Sequence, residues 1–259
     1  MQAPTISINS GNFYRTVVDE KGGFVVKIAV ITDLHYAKEK NLACPDRAGE
    51  KAAQLLSEAA IRLNKEIKPD ILLVGGDLIN TPDDAFLLEE LAEIFQTVNC
   101  PQIIIPGNHD PNPDLFYQYF QKPPEFMDIA GIRFLAFPED LQTEGYNARR
   151  TPEDLERMKI HCSSVPTILF QHVPFYKRDS IKCHYSYDNA EEIFESCRNV
   201  ILSISGHEHA GFQPSFRSQF PVVIVPALCE GKNPFAIIEL TTEGILKSYQ
   251  LQYISKPEI

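Results

Sequence analysis

At five places a carboxylate, an imidazole or an amide directly follows a short apolar run: Asp33 and His35, Asp77, Asn108 and His109, His172, and His207 and His209. Five of the seven histidines, all but His161 and His184, fall at these places. Singly, each is an ordinary turn composition, because Gly, Asn and Asp dominate turns for backbone reasons. Five together point to a ligand set rather than to five turns. Imidazole nitrogen with carboxylate and amide oxygen suits divalent ions such as Mn²⁺, Fe²⁺ or Zn²⁺, and a set without thiolates is unlike a structural zinc cage. These donors exceed what one ion needs and are about enough for two. Two ions about 3.5–4 Å apart clamp the attacking and leaving oxygens of an in-line displacement at phosphorus. In an extended stretch residues i and i+2 point the same way. Asp33/His35 and His207/His209 are therefore each expected to aim two side chains into one site.

The positioning elements are legible as a repeating cycle. Phe24 to Ile31 is an apolar run broken only by Lys27 and reads as a buried strand. Residues 49 to 66 carry Ala52, Leu55, Leu56, Ala59, Ala60 and Leu63 at helical spacing. Ile71 to Val74 is a second strand, Pro82 to Val98 a second helix and Ile103 to Ile105 a third strand. Such alternation predicts parallel strands joined by right-handed crossovers. Ligands in open α/β sheets bind at the carboxyl ends of the strands, so the five polar sets can share one crevice if their strands share a sheet. Pro111 to Glu125 reads as a loop, and Ile132 to Phe137 as a strand. A helix is expected from Pro152 with Thr151 as its cap, then a strand at Thr167 to Phe170, a helix near Asp188 to Cys197 and a strand at Val200 to Ser205. Pro221 to Val225, Phe235 to Leu240 and Ile245 to Gln250 read as an antiparallel meander. Residues 1–23 read as a peripheral lead-in with an edge strand around Asn12 to Val18, and 1–259 as a single domain.

Composition narrows the function classes. With 24 basic against 35 acidic side chains and a net charge of −11, the chain lacks the basic footprint of a nucleic-acid binder. No apolar run approaches the roughly 20 residues of a membrane helix. The N-terminus has neither the basic nor the apolar region of a secretory signal, so a cytoplasmic location is expected. The six cysteines are scattered without a C-x-x-C pair and are expected as buried, reduced thiols.

The ordered motifs Asp33-Leu34-His35, Gly76-Asp77-Leu78-Ile79-Asn80, Gly107-Asn108-His109-Asp110, His172 and Gly206-His207-Glu208-His209 resemble the calcineurin-like metallophosphoesterase superfamily from about residue 27 to 210. The resemblance implies an α/β fold, a four-layer α-β-β-α sandwich of two mixed sheets, with the β-rich tail after residue 215 in the second sheet. It implies one metal held by Asp33, His35, Asp77 and His209, and another held by Asp77, Asn108, His172 and His207. His109 would act on the scissile phosphate as acid or charge stabiliser, with Asp110 orienting its ring, and a metal-bound hydroxide would be the nucleophile.

Departures from the pattern narrow the branch. Asn80 stands where purple acid phosphatases place a ligating Tyr, and Pro106 where protein phosphatases place an Arg. What remains resembles the bacterial phosphodiesterase branch, which acts on cyclic nucleotides and glycerophosphodiesters. A small phosphodiester is thus the expected substrate, with a nuclease, a phosphomonoesterase and a non-catalytic scaffold as the competing readings. Arg47, Arg149, Arg150 and Tyr36 are candidates to touch it.

Overall fold

The computed structural model describes residues 17–18, 24–138, 141–176 and 183–255. Along the chain run strands β1 (Val17–Val18), β2 (Phe24–Ile31), β3 (Ile71–Val74), β4 (Gln102–Ile104), β5 (Met127–Ile129), β6 (Ile132–Phe137) and β7 (Leu141–Gln142). They continue with β8 (Ala148–Arg149), β9 (Thr167–Gln171), β10 (Val200–Ser205), β11 (Phe212–Ser215), β12 (Val222–Ile224), β13 (Pro234–Thr241) and β14 (Leu246–Tyr253). The α-helices are α1 (Ala52–Arg62), α2 (Leu88–Gln96), α3 (Pro113–Phe116), α4 (Pro152–His161) and α5 (Ala190–Glu195).

Two mixed sheets result. The first has the order β14-β13-β2-β3-β4, with β1 also paired to β2, and the second has the order β11-β12-β10-β9-β6-β5. Strands β2, β3 and β4 are parallel, as are β6, β9, β10 and β12. The period-2 alternation of side chains divides most of the apolar residues among three larger cores. Val26, Ile28 and Val30 of β2 meet Phe134 and Ala136 of β6 and Ile168 and Phe170 of β9 between the sheets. Ala29 and Ile31 face the other way, onto Leu55, Leu56 and Ala59 of α1 and Leu88 and Leu91 of α2. Leu135, Phe137 and Leu169 pack on Leu155 and Met158 of α4 and Ile193 of α5. The layers are therefore α-β-β-α, as the resemblance implies.

The tail departs from expectation. Only β12 lies in the second sheet, parallel to β10. Strands β13 and β14 form a hairpin in the first sheet, with β13 antiparallel to β2, so no three-strand meander exists. The reason is burial on both faces. Ala236, Ile238 and Leu240 enter the core between the sheets, while Phe235 and Ile237 enter the helical core, so β13 needs an interior place. Strand β14, largely half-buried or exposed, takes the edge.

Smaller differences have local causes. The second helix begins as a 3-10 turn over Pro82–Leu87, with Asp84 non-helical, before α2 starts. The expected loop after residue 111 contains α3, capped by the Asn112 side chain accepting from Leu115 N. Thr151 caps α4 by accepting from Asp154 N, as expected. All six cysteines are free thiols, but only Cys162, Cys197 and Cys229 are buried; Cys100 and Cys183 are half-buried and Cys44 is exposed. Of the expected N-terminal edge strand, only Val17–Val18 falls within the described residues. No helix among the described residues is long and apolar enough to cross a membrane.

Candidate dinuclear metal centre

The five polar sets do meet, but not at the end of one sheet. Asp33 and His35 follow β2, Asp77 follows β3 and Asn108 follows β4, all in the first sheet; His172 and His207 follow β9 and β10 in the second. The crevice is the seam where the carboxyl ends of the two sheets converge. The segments carrying these donors are not extended either. Asp33, His35, Asp77 and His207 have φ of 55°, 45°, 53° and 67°, left-handed conformations that cost on the order of 1 kcal/mol or more each. Asp33 and His35 nevertheless reach one cluster, as expected, whereas His207 and His209 reach different parts of the seam. Two glycines permit the close approach. A Cβ on Gly107 would strike Asp77 Oδ1 and His172 Cε1, and one on Gly206 would strike Thr32 and Asp33.

The donors fall into two clusters that share one carboxylate. The first is Asp33, His35, Asp77 and His209; the second is Asp77, His172 and His207, joined by Asn108, whose Oδ1 lies 3.1 Å from His172 Nε2. Asp77 Oδ1 accepts from His109 N at 2.8 Å. Its Oδ2 stands between the clusters, 3.6 Å from His35 Nε2 and 3.4 Å from His172 Nε2. Asp33 likewise uses Oδ2 internally, accepting from Thr32 Oγ1 at 2.6 Å and His207 N at 3.0 Å. Its Oδ1 is buried without a hydrogen-bond partner.

Tautomers decide what these contacts mean. His172 Nδ1 lies 2.6 Å from the Gly75 carbonyl and His207 Nε2 lies 3.0 Å from the Tyr146 carbonyl. A carbonyl only accepts, so both nitrogens carry protons. The neutral rings then present lone pairs at His172 Nε2 and His207 Nδ1, which are 3.1 Å apart. His209 Nδ1 donates to Glu230 Oε1 at 2.5 Å, which turns the lone pair of Nε2 towards His35 Nε2, 3.0 Å away. Where both rings are neutral, lone pair faces lone pair at His172 and His207 beside the Asp77 carboxylate, the arrangement a cation completes. The residues fit two divalent ions, with Asp77 between them.

The unliganded side chains hold their charges differently. Burial pushes the Asp33 carboxyl up and the imidazoles of His35 and His207 down, to about 2 and about 3. Burial opposes charge on His172 too, but the neighbouring Asp77 carboxylate prevails and raises it to about 10. Asp77, despite its own burial, is held well below the usual range by His172. Cations at the seam would favour ionised carboxylates and neutral imidazoles together.

His109 lies beside the first cluster, its ring edge-on to His35 with centroids 4.7 Å apart. Its orientation corrects one expectation. His109 Nδ1 contacts the Asn80 carbonyl at 2.8 Å, and Asp110 does not hold the ring. Asp110 instead accepts from Gly107 N, Leu78 N and Ile79 N. Three main-chain amides converge on the Asp110 carboxylate, which turns inward and ties the two loops together. Burial, aided by the Asp77 charge, raises it to about 7.

The four expected substrate contacts separate. Arg47 reaches the centre, with Nε 3.4 Å from Glu230 Oε1, NH1 3.2 Å from Asn80 Oδ1 and NH2 3.4 Å from His209 Nδ1. Because Nδ1 already donates to Glu230, that last contact is an approach of two donors rather than a hydrogen bond. Arg150 is 1% exposed and stacked on Phe137 and Tyr187, hence a core residue. Arg149 faces Glu192 at 3.6 Å, and the Tyr36 hydroxyl donates to Glu90. Glu230 was not legible as a site residue: it lies beyond the last motif, in the loop between β12 and β13.

With this geometry in hand, comparison with known proteins is direct. The family model described as calcineurin-like phosphoesterase matches residues 26–211. A protein of Synechococcus sp. named "probable cyclic nucleotide phosphodiesterase" is 31% identical over 202 residues, 72% of this chain and 74% of its own. One of the same name from Psychrobacter arcticus is 27% identical over 233 residues, 81% of this chain and 82% of its own. Among solved structures, a dimetal phosphatase from Danio rerio superposes with a TM-score of 0.68 at 14% identity, covering 89% of this chain and 99% of that one. At that identity the likeness concerns the fold.

Proposed function

Since the chain belongs to the calcineurin-like phosphoesterase family and is a metal-dependent phosphoric ester hydrolase, we propose that it hydrolyses a small phosphodiester of the cyclic-nucleotide or glycerophosphodiester type. The observation that carries this reading is the pair of donor clusters sharing Asp77, with His109 alongside. Asp33, His35, Asp77 and His209 would hold one ion, and Asp77, Asn108, His172 and His207 the other. When bound, the ions supply Lewis-acid charge to the phosphoryl oxygens and acidify water at the site. The chain's own part is to place the proton. The Asn80 carbonyl accepts from His109 Nδ1–H, so that in the imidazolium form the Nε2–H is the proton left to hydrogen-bond and protonate the departing ester oxygen. Asp110, bonded to three main-chain amides, keeps the loops bearing Asp77 and His109 in fixed relation.

The preference for a diester follows from charge. A monoester brings about two negative charges near neutral pH, and further cations would be needed to hold that dianion. Pro106 occupies the position before Gly107-Asn108-His109. The nearby guanidinium of Arg47 is paired with Glu230 at 3.4 Å, which offsets its charge. The curated relatives' names make a cyclic nucleotide the first substrate to try. The test is kcat/KM for bis(p-nitrophenyl) phosphate against p-nitrophenyl phosphate at saturating Mn²⁺, with a chelated control. We expect the diester to be preferred and chelation to abolish turnover. Preference for the monoester would overturn the diesterase reading, and full activity of metal-free protein would overturn the metal reading.

A further inference from the structure

Tyr146 is the residue here whose chemistry the metal centre does not account for. It follows Gly145 (φ 69°) in the turn between β7 and β8 and itself has φ 61°. Glycine and asparagine enter that region readily, whereas a bulky side chain there is an outlier. The backbone conformation has a use, since it sets the Tyr146 carbonyl 3.0 Å from His207 Nε2. Any residue offers a carbonyl, however, so this does not explain a tyrosine. Nor does packing, because Tyr146 is 63% exposed. What it borders is a cavity of about 190 Å³, whose lining also includes Asn108, His172, Asp110, Pro111, Pro138 and Gln142.

The shape and lining specify a class of ligand. The volume is below the ~300–1,000 Å³ of clefts that enclose a whole drug-sized molecule, so it suits one ring system. Prolines present rigid apolar surfaces, Tyr146 adds an aromatic face, and the Gln142 amide can meet heteroatoms at a ring's edge. A quaternary ammonium would find one aromatic ring rather than a cage of them. We propose that this cavity receives the planar heterocyclic base of a nucleoside ester, stacked on Tyr146, while the phosphate lies at the two donor clusters. The inference rests on the phosphodiesterase reading and adds where one arm of the substrate sits.

The experiment compares wild type, Tyr146→Leu and Tyr146→Phe, each loaded with Mn²⁺, on adenosine 3′,5′-cyclic monophosphate and on glycerophosphocholine. In Tyr146→Leu the kcat/KM ratio of nucleotide to glycerophosphocholine falls about tenfold, within the range for a lost base–aromatic stack, and the loss appears in KM. Tyr146→Phe retains the wild-type ratio. The metal content of Tyr146→Leu matches wild type, since a main-chain carbonyl holds His207. An unchanged ratio, an equal loss on both substrates or a loss of bound metal would overturn the proposal. Equilibrium binding of adenosine monophosphate and ribose 5-phosphate separates this failure from that of the parent reading. If wild type turned over neither diester yet bound the nucleotide far more tightly than the sugar phosphate, with the difference shrinking in Tyr146→Leu, only the diesterase reading would fall. Equal affinity for the two ligands would remove the base site.

Discussion

The two donor clusters share a carboxylate yet are supported from behind in different ways. Around Asp33, the support comes mostly from side chains: Glu230 accepts from His209 Nδ1, Arg47 bridges Glu230 to Asn80, and Thr32 shares Asp33 Oδ2 with the main-chain amide of His207. Around His172, it comes from the main chain, with the Gly75 carbonyl on His172 and the Tyr146 carbonyl on His207. Both devices fix a tautomer and leave one lone pair for an ion. They differ in what they add. A carbonyl contributes only a dipole, whereas Glu230 contributes a full charge that makes the His209 imidazole more basic. The first cluster is thus open to tuning by substitution behind the ligands, and the second is locked into the fold.

The strongest way to break the comparison is to remove what the clusters share. Asp77 Oδ2 stands between His35 and His172, so Asp77→Asn should weaken both sites at once. Elemental analysis of the variant is expected to fall from about two ions per chain to fewer than one. Retention of one tightly bound ion would show that the clusters are separable and that Asp77 serves only one of them.

His109 provides the next test, because it lies beside the first cluster without belonging to it. His109→Ala should retain wild-type metal content and lose about 10²–10⁴-fold in turnover, the range of general acid–base catalysis. The loss should be largest for diesters with poor leaving groups. Wild-type rates on such a substrate would mean that the proton is delivered from elsewhere.

How much of this was legible in the sequence depends on the range of the interaction. Strands β2, β3, β6 and β10 were read at their observed bounds because an apolar run bounded by turn residues is a local signal. The donors were legible for the same reason, since each sits within a few residues of a strand end. The resemblance implied two sheets but did not say which of these strands each holds, and the division of β9 and β10 from β2, β3 and β4 is seen only in the structure. The place of β13 was misjudged, because its neighbour β2 lies some 200 residues earlier (Ile238 pairs Ile28). The supports were hardest to see. Glu230 and Arg47 meet across 183 residues, and the carbonyls of Gly75, Asn80 and Tyr146 have no residue type to betray them. Asp110 was misread because its neighbour in sequence, His109, faces the seam while Asp110 itself turns towards the amides of Leu78 and Ile79.

The finest test concerns Glu230, the charged support for which the second cluster has no counterpart. Glu230→Gln keeps an acceptor for His209 Nδ1–H but removes the negative charge, so the ligand stays oriented while its basicity falls. Arg47, whose Nε lies 3.4 Å from that carboxylate, loses its ionic partner and adds an uncompensated positive charge near the first cluster. Both changes disfavour a cation there, and neither touches His172 or His207. Loss of a supporting partner typically lowers metal affinity by about 10–100-fold. Because the Gln retains the hydrogen bond, the expected fall is about tenfold, confined to one of the two ions. A Mn²⁺ titration followed by calorimetry should therefore change from overlapping to clearly biphasic binding, with the tighter phase at its wild-type affinity. If both phases weaken together, the charge of Glu230 is felt across Asp77 and the clusters act as one site. If neither moves, orientation alone is what Glu230 supplies, and the two kinds of support are equivalent after all.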